Sequence, residues 1–139
     1  MNLFEEFSAP WFAQVSPGVS PGFVFSKDGN VTVGTYLRTG DVQTNNTGQP
    51  IFGANHLIRM RVSAGGNAVS NTVIQLRART AVSTFSDIAG ASITLTAGNY
   101  TATTELDVIL PNNVELCAYN KSGGSLSNVV LVLFLMPYS

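Results

Sequence analysis

Short stretches in which apolar and polar residues alternate, separated by turn-forming residues, fill the chain from Gly22 to its end. A period of two is typical of a β-strand with one buried face, and no stretch keeps a helical period over the length that a helix needs. Eight or more short strands at this spacing predict an all-β antiparallel sandwich, jelly-roll-like in topology, over residues 23–139. The predicted strands are Phe23–Ser26, Val31–Arg38, Gln49–Phe52, His56–Ser63, Thr72–Arg79, Ala81–Phe85, Ser92–Thr96, Tyr100–Leu110, Val114–Asn120 and Asn128–Met136.

The alternation also predicts which face each side chain occupies. In His56–Ser63 the core face carries Ile58, Met60 and Val62, and the opposite face carries Leu57 with Arg59 and Arg61. In Thr72–Arg79 the polar face carries Arg77 and Arg79. A glycine-rich loop joins the two strands, so we expect them to pair as a hairpin and to present all four arginines on one exposed face.

Three interpretations of an arginine face remain open. It can bind an anion or a glycan, or form a subunit interface, or stand in solvent with its arginine stems covering apolar surface. As an interface, it would bring Arg59 and Arg61 against Glu105, Asp107 or Glu115 of a neighbouring subunit.

The last predicted strand does not alternate, because every residue from Val129 to Leu135 is apolar. An uninterrupted apolar run indicates that both faces of a strand are covered, either inside the sandwich or against another subunit. This run favours an oligomer, and its Leu131 and Leu133 join the arginines and acids above as candidate interface residues.

Residues 1–22 differ from the sandwich in composition. They begin with an apolar set of Leu3, Phe4, Phe7, Trp11 and Phe12, followed by two copies of Val-Ser-Pro-Gly over residues 15–22. Pro-Gly supplies the central residues of a type II turn and interrupts strands and helices. We expect residues 1–22 to form an apolar arm on a kinked, extended tether, with the arm docking on another surface. The alternative is that the arm is an edge segment that covers the domain's own core.

Composition narrows the function. Charged residues make up only 11% of the 139 residues, against about 25% in ordinary soluble domains, which suits a subunit partly covered by partners. A net charge of −1 argues against nucleic-acid binding. The longest apolar run, Val129–Met136, is too short to span a bilayer as a helix. With Glu5 and Glu6 where a signal peptide has basic residues, we expect no secretion through such a signal.

The sequence contains no convincing catalytic motif. The chain has one histidine, His56, which gives a Ser-His-Asp triad little to build on. Residues 18–22 match the Gly-x-Ser-x-Gly nucleophile elbow, but the residue after the serine is Pro21, which lacks the N–H that this motif uses as an oxyanion donor.

Metal and glycosidase chemistry find equally little support in the sequence. His56 and Cys117 are the only residues of their types and make no recognisable ligand cluster. Glu105 and Asp107 occupy neighbouring positions on the same face of one strand, which is not the arrangement of two carboxylates across a cleft. We expect a protein that is not an enzyme and that uses no metal or cofactor.

The region from Ser92 to Phe134 resembles accessory structural proteins of tailed bacteriophage virions. The likeness runs through Ile93–Tyr100, Leu110–Leu116 and Tyr119–Gly124 and ends in the apolar strand. With the arm, the tether and the charge-poor sandwich, it is similar to capsid decoration (cement) proteins and to small jelly-roll heads of fibres.

The resemblance implies a virion structural protein, made in the host cytoplasm. Such a protein would be a homotrimer, bind the major capsid protein or other virion proteins, and dock through its arm. The alternative is a receptor- or carbohydrate-binding head of a phage fibre. Its contacts would come from the loops Thr39–Gly48 and Ala64–Asn71, with Tyr36 or Tyr100 as stacking residues.

Overall fold

The computed structural model describes residues 20–51 and 55–137. All the regular secondary structure in these two ranges is β-strand. The prediction of an all-β protein is therefore confirmed. No helix in the described ranges has the length and apolar character to cross a membrane. The strands are β1 (Ser20–Val31), β2 (Arg38–Thr39), β3 (Val42–Gln43), β4 (Gln49–Pro50), β5 (Asn55–Ser63), β6 (Thr72–Ala81), β7 (Thr84–Leu95), β8 (Thr101–Leu110), β9 (Glu115–Ser122) and β10 (Leu126–Pro137).

Two antiparallel sheets form the sandwich. The six-stranded sheet has the order β3-β2-β1-β10-β5-β8, and the four-stranded sheet has the order β4-β9-β6-β7. Apart from the small β2–β3 hairpin at one edge, the chain passes repeatedly between the sheets, so that β1-β10-β5-β8 lies over β4-β9-β6-β7. This interleaving is a jelly roll. The first strand begins at Ser20, so residues 20–22 of the predicted tether belong to the sheet.

The hydrophobic core lies between the two sheets, and both sheets contribute side chains to it. Burying each large apolar side chain stabilises the fold by about 1.5–3 kcal/mol relative to leaving it in water. The largest fully buried side chains are Phe25, Leu37, Leu57, Met60, Ile74, Leu76, Ile93, Leu95, Leu110, Leu116, Leu131 and Leu133.

The predicted hairpin between the arginine strands is wrong. β5 pairs with β10 and β8, whereas β6 pairs with β7 and β9 in the other sheet. The loop between them crosses the end of the sandwich, where the Gly65 N–H donates to the Ser127 carbonyl and the Ala68 N–H donates to the Asn99 carbonyl. The apolar side chains of β5 and β6 face each other across the core. The arginines alternate with these side chains along each strand and therefore lie on opposite outer faces of the sandwich.

Two irregularities change the predicted faces. A bulge between Leu57 and Arg59 interrupts the alternation of β5, so Leu57 is fully buried and Ile58 is only half-buried, the reverse of the prediction. The predicted strand Ser92–Thr96 falls largely within β7, whereas the predicted strand Ala81–Phe85 spans the end of β6, the turn and the start of β7. The irregular middle of β7 is held by the buried amide of Gln75, which donates to the carbonyls of Ile88 and Ala91.

The apolar run of the last strand is divided between the two faces of the sheet. β10 lies between β1 and β5, and Leu131 and Leu133 are fully buried in the domain's own core. Their assignment to a subunit interface is corrected accordingly. The alternate residues Val130, Val132 and Phe134 point to the outer face, which no described element covers.

Candidate functional site

The outer face of the six-stranded sheet carries an apolar stripe along β10 and β1. Opposite residues on antiparallel strands share a face, so the register places Val24 beside Val132 and, on the other side, Val132 beside Arg61. Val24 is 52% exposed and Val130 is 41% exposed. We name this set the outer stripe; it consists of Val24, Val130, Val132, Phe134 and Met136.

Charged side chains border the outer stripe on the β5 side. The Arg59 guanidinium lies 5.5 Å from the centre of the Phe134 ring and its Nε is 2.7 Å from Glu105 Oε1. His56 forms an ion pair or hydrogen bond with Asp107, depending on its protonation. The acids that were predicted to meet a neighbouring subunit's arginines are therefore already engaged within the chain.

Arg61 differs from the other three arginines of the predicted set. It is exposed, and among the described residues it has no carboxylate partner, whereas Arg59, Arg77 and Arg79 each have one. Its neighbours across the strands are Val132 and Thr103. Beside Val132, the outer stripe is thus bordered by a positive charge that has no carboxylate partner in the described part of the chain.

The outer face of the four-stranded sheet is built differently. Arg77 Nε lies 2.6 Å from Asp87 Oδ1, and its Nη1 donates to the Tyr36 hydroxyl at 2.8 Å. The same guanidinium lies 4.3 Å from the centre of the Tyr119 ring, on which Tyr36 stacks with a centroid distance of 5.3 Å. Lys121 Nζ is 2.9 Å from the other Asp87 oxygen. We name these five residues the Arg77 network.

The Arg77 network stabilises its own charges. Burial alone would raise the pKa of Asp87, but hydrogen bonds from Arg77, Lys121 and Tyr119 outweigh it and lower that pKa. The hydrogen bond to Asp87 raises the pKa of Arg77 above its usual range, against the effect of burial. Each charge therefore has an opposite charge within the chain, and the network is a self-contained feature of this face.

Cys117 is a buried packing residue. Burial raises its pKa to about 11, and its Sγ–H donates to the Thr44 carbonyl at 3.0 Å. A thiol with such a pKa is protonated at neutral pH and is a poor nucleophile.

A cleft of about 500 Å³ opens beside the β6–β7 and β8–β9 turns. Its charged wall is the pair of Arg79 Nη1 and Glu115 Oε1 at 2.5 Å, and Glu115 Oε1 also accepts the Gly48 N–H. Thr80, Ala81, Asn113, Val114 and the exposed Val82 form the rest of the lining.

The loops predicted for a receptor-binding head do not come together. In the loop Ala64–Asn71, Asn71 lies against Gly123 at one end of β9, whereas Thr44 and Gly48 of the other loop lie against Cys117 and Glu115 at the opposite end. Tyr36 is held within the Arg77 network, and Tyr100 is 56% exposed.

The predicted arm residues Leu3, Phe4, Phe7, Trp11 and Phe12 lie outside the described residues. Within the ranges 20–51 and 55–137, no group of three or more His, Cys, Asp and Glu side chains is placed to hold a metal ion. The outer stripe was not predicted from the sequence. Its signal was the same uninterrupted apolar run, of which alternate residues had to point outward.

Comparison with known proteins gives little further information. No protein-family model and no curated protein matches the sequence. One solved structure resembles the fold: the C-terminal CBM6 of LamC, a laminarinase from the marine Zobellia galactanivorans, at 14% identity and a TM-score of 0.43. The match covers 86% of this chain and 94% of that one. A similarity this low supports no statement about function.

Proposed function

We propose that this protein is a structural component of a virion, a capsid decoration protein that associates with copies of itself and attaches to the particle through residues 1–22. The observation that carries the proposal is the outer stripe. It is an exposed apolar surface on a jelly roll whose own core is already filled. Contact between apolar side chains and water is unfavourable. Covering the outer stripe with a partner would therefore stabilise the complex by about 25 cal/mol for each Å² of apolar surface buried.

The surroundings of the outer stripe also suit a protein interface. Interfaces combine an apolar centre with arginine and a polar rim. Here Arg61 lies beside Val132 and Arg59 lies beside Phe134, while Ser63 and Thr103 lie next to them. A trimer fits the resemblance to decoration proteins, and the major capsid protein is the partner that it suggests.

The proposal includes no catalysis. The ionisable groups of the four-stranded sheet are engaged with one another, and Cys117 is buried and protonated. Groups that are paired or buried in this way stabilise the fold and are not placed to transfer a proton or to attack a substrate.

A test of self-association uses two valines that differ in position. Val130→Glu places a charge in the outer stripe, while Val69→Glu makes the same change at a loop valine that is 83% exposed. We expect the unchanged protein and Val69→Glu to run as trimers in size-exclusion chromatography with light scattering, and Val130→Glu to run as a monomer.

A monomer in the unchanged protein at every accessible concentration would contradict the self-association part of this proposal. The virion part is tested by sedimenting lysates that contain the assembled particles of the same virus. We expect the protein in the particle fraction; its presence only in the supernatant would count against a decoration role.

The cleft beside Arg79 favours a second candidate, a receptor- or glycan-binding head of a fibre. Its observation is the 500 Å³ volume with a charged pair and an asparagine in the lining. A glycan array supports this candidate if a reproducible signal is lost with Asn113→Ala and kept with Val69→Glu. An array without any signal removes that support.

A further inference from the structure

We infer that the outer stripe is the docking site for residues 3–12 of a neighbouring copy of this chain. This inference rests on the proposed self-assembly and identifies the surface and the segment that would carry it. It therefore predicts an exchange of arms between copies, in addition to any contact with the capsid.

The chemistry of the segment matches the chemistry of the face. The segment carries five large apolar side chains, and two acids, Glu5 and Glu6, stand between Phe4 and Phe7. The outer stripe offers valines and Phe134 for the apolar groups, and Arg61 at its border lacks a carboxylate among the described residues. An acid in the docked segment supplies the partner that this arginine lacks.

A face-to-face dimer of two sandwiches explains the same surface less well. Glu105 already pairs with Arg59, and Asp107 already contacts His56. The acids of β8 that border the outer stripe are therefore not available to the Arg61 of a second copy, and the described acids of this sheet without an ion pair, Asp28 and Asp41, lie on the far side of the stripe from β5. The acids of residues 5 and 6 do not have this limitation.

The length of the segment allows docking on either copy. Ser20 pairs with Leu135, while Arg61 lies opposite Val132 and two strands away from β1. At about 3.4 Å per residue along a strand and 4.8 Å between strands, the gap within one chain is about 14 Å. The stretch from Glu6 to Ser20 can span up to about 46 Å when extended. It can therefore reach Arg61 of its own chain or of an adjacent copy, and the choice of a neighbour rests on the proposed self-assembly.

The first experiment is a charge reversal in the full-length protein. We expect Arg61→Glu to weaken self-association at least tenfold in sedimentation equilibrium, and the further changes Glu5→Arg and Glu6→Arg in the same chain to restore it. The control is Val69→Glu, which adds a negative charge at an exposed loop valine outside the outer stripe. Circular dichroism at each step confirms that the variants are folded.

The second experiment identifies the source of the segment. Phe7 is replaced by the photoreactive p-benzoylphenylalanine in a mixture of isotopically light and heavy chains. Mass spectrometry of the cross-links should show light–heavy pairs that join residue 7 to residues 129–136 or 59–63. Cross-links confined to single chains, or to another face, would overturn the inference, as would an equal response to Arg61→Glu and Val69→Glu.

These outcomes separate the inference from the proposed function. An oligomer that Val130→Glu dissociates, but that is indifferent to Arg61→Glu and cross-links elsewhere, leaves the assembly role standing and removes the arm exchange. A protein that is monomeric at all concentrations removes both.

Discussion

The two outer faces of the sandwich differ in how fully their arginines are paired within the chain. On the four-stranded sheet, Arg77 is surrounded by Asp87, Tyr36 and Tyr119, and its hydrogen-bonding groups are used within the chain. On the six-stranded sheet, Arg61 stands at the edge of exposed valines without a carboxylate partner among the described residues. Four arginines that look alike in the sequence therefore differ in the structure: Arg59, Arg77 and Arg79 pair with carboxylates of the chain, and Arg61 is the one that we propose meets a partner.

The largest expected contrast is in folding stability. Arg77→Ala leaves Asp87 partly buried with fewer donors and should lower the free energy of unfolding by about 2 kcal/mol, because hydrogen bonds to charged groups contribute on this scale. Arg61→Ala removes no hydrogen bond to a described residue and should change it by less than about 0.5 kcal/mol. Urea unfolding of both variants at low protein concentration, where self-association is weak, measures the difference. Equal losses would break the distinction between the two faces.

A pH titration sharpens the same contrast. The folded-state pKa of Asp87 lies below the ordinary value of 3.8, so its ionised form stabilises the fold above that pH. That contribution is lost as the pH falls from 3.8 through the lower folded-state pKa. We expect the unfolding free energy to decline more steeply in this window in the unchanged protein than in Asp87→Asn. Identical slopes would mean that the Arg77 network does not hold Asp87 in its charged form.

The smallest expected effect concerns Phe134. Its ring is half-buried under the Arg59 guanidinium, a contact of about 0.5–1 kcal/mol at exposed sites. Phe134→Leu should therefore lower the stability of the isolated domain by about 1 kcal/mol while keeping most of the apolar surface. If thermal unfolding of the monomer shows a loss of several kcal/mol, Phe134 is a core residue and not part of an outer surface.

The fold class and most of the strands could be predicted because alternation and turn residues are local properties. The predicted strand Val31–Arg38 is wrong, since the chain turns between the end of β1 and the start of β2. The division of the four arginines between the two outer faces could not be predicted, because a glycine-rich connection from Ala64 to Asn71 is compatible with a hairpin and with a crossing between sheets. The bulge at Ile58 is equally invisible, because it depends on how β5 pairs with β8. The Arg77 network joins residues from Tyr36 to Lys121, and only the sheet order brings them together.

The central claim is that copies of this protein associate through the outer stripe. Hydroxyl-radical footprinting of the full-length protein, at concentrations below and above self-association, tests it most directly. The account predicts that labelling of Met136 and Phe134 falls as the oligomer forms, while labelling of the exposed Tyr100 and Val82 stays constant. Unchanged labelling of Met136 and Phe134 in a protein whose mass has increased would contradict it.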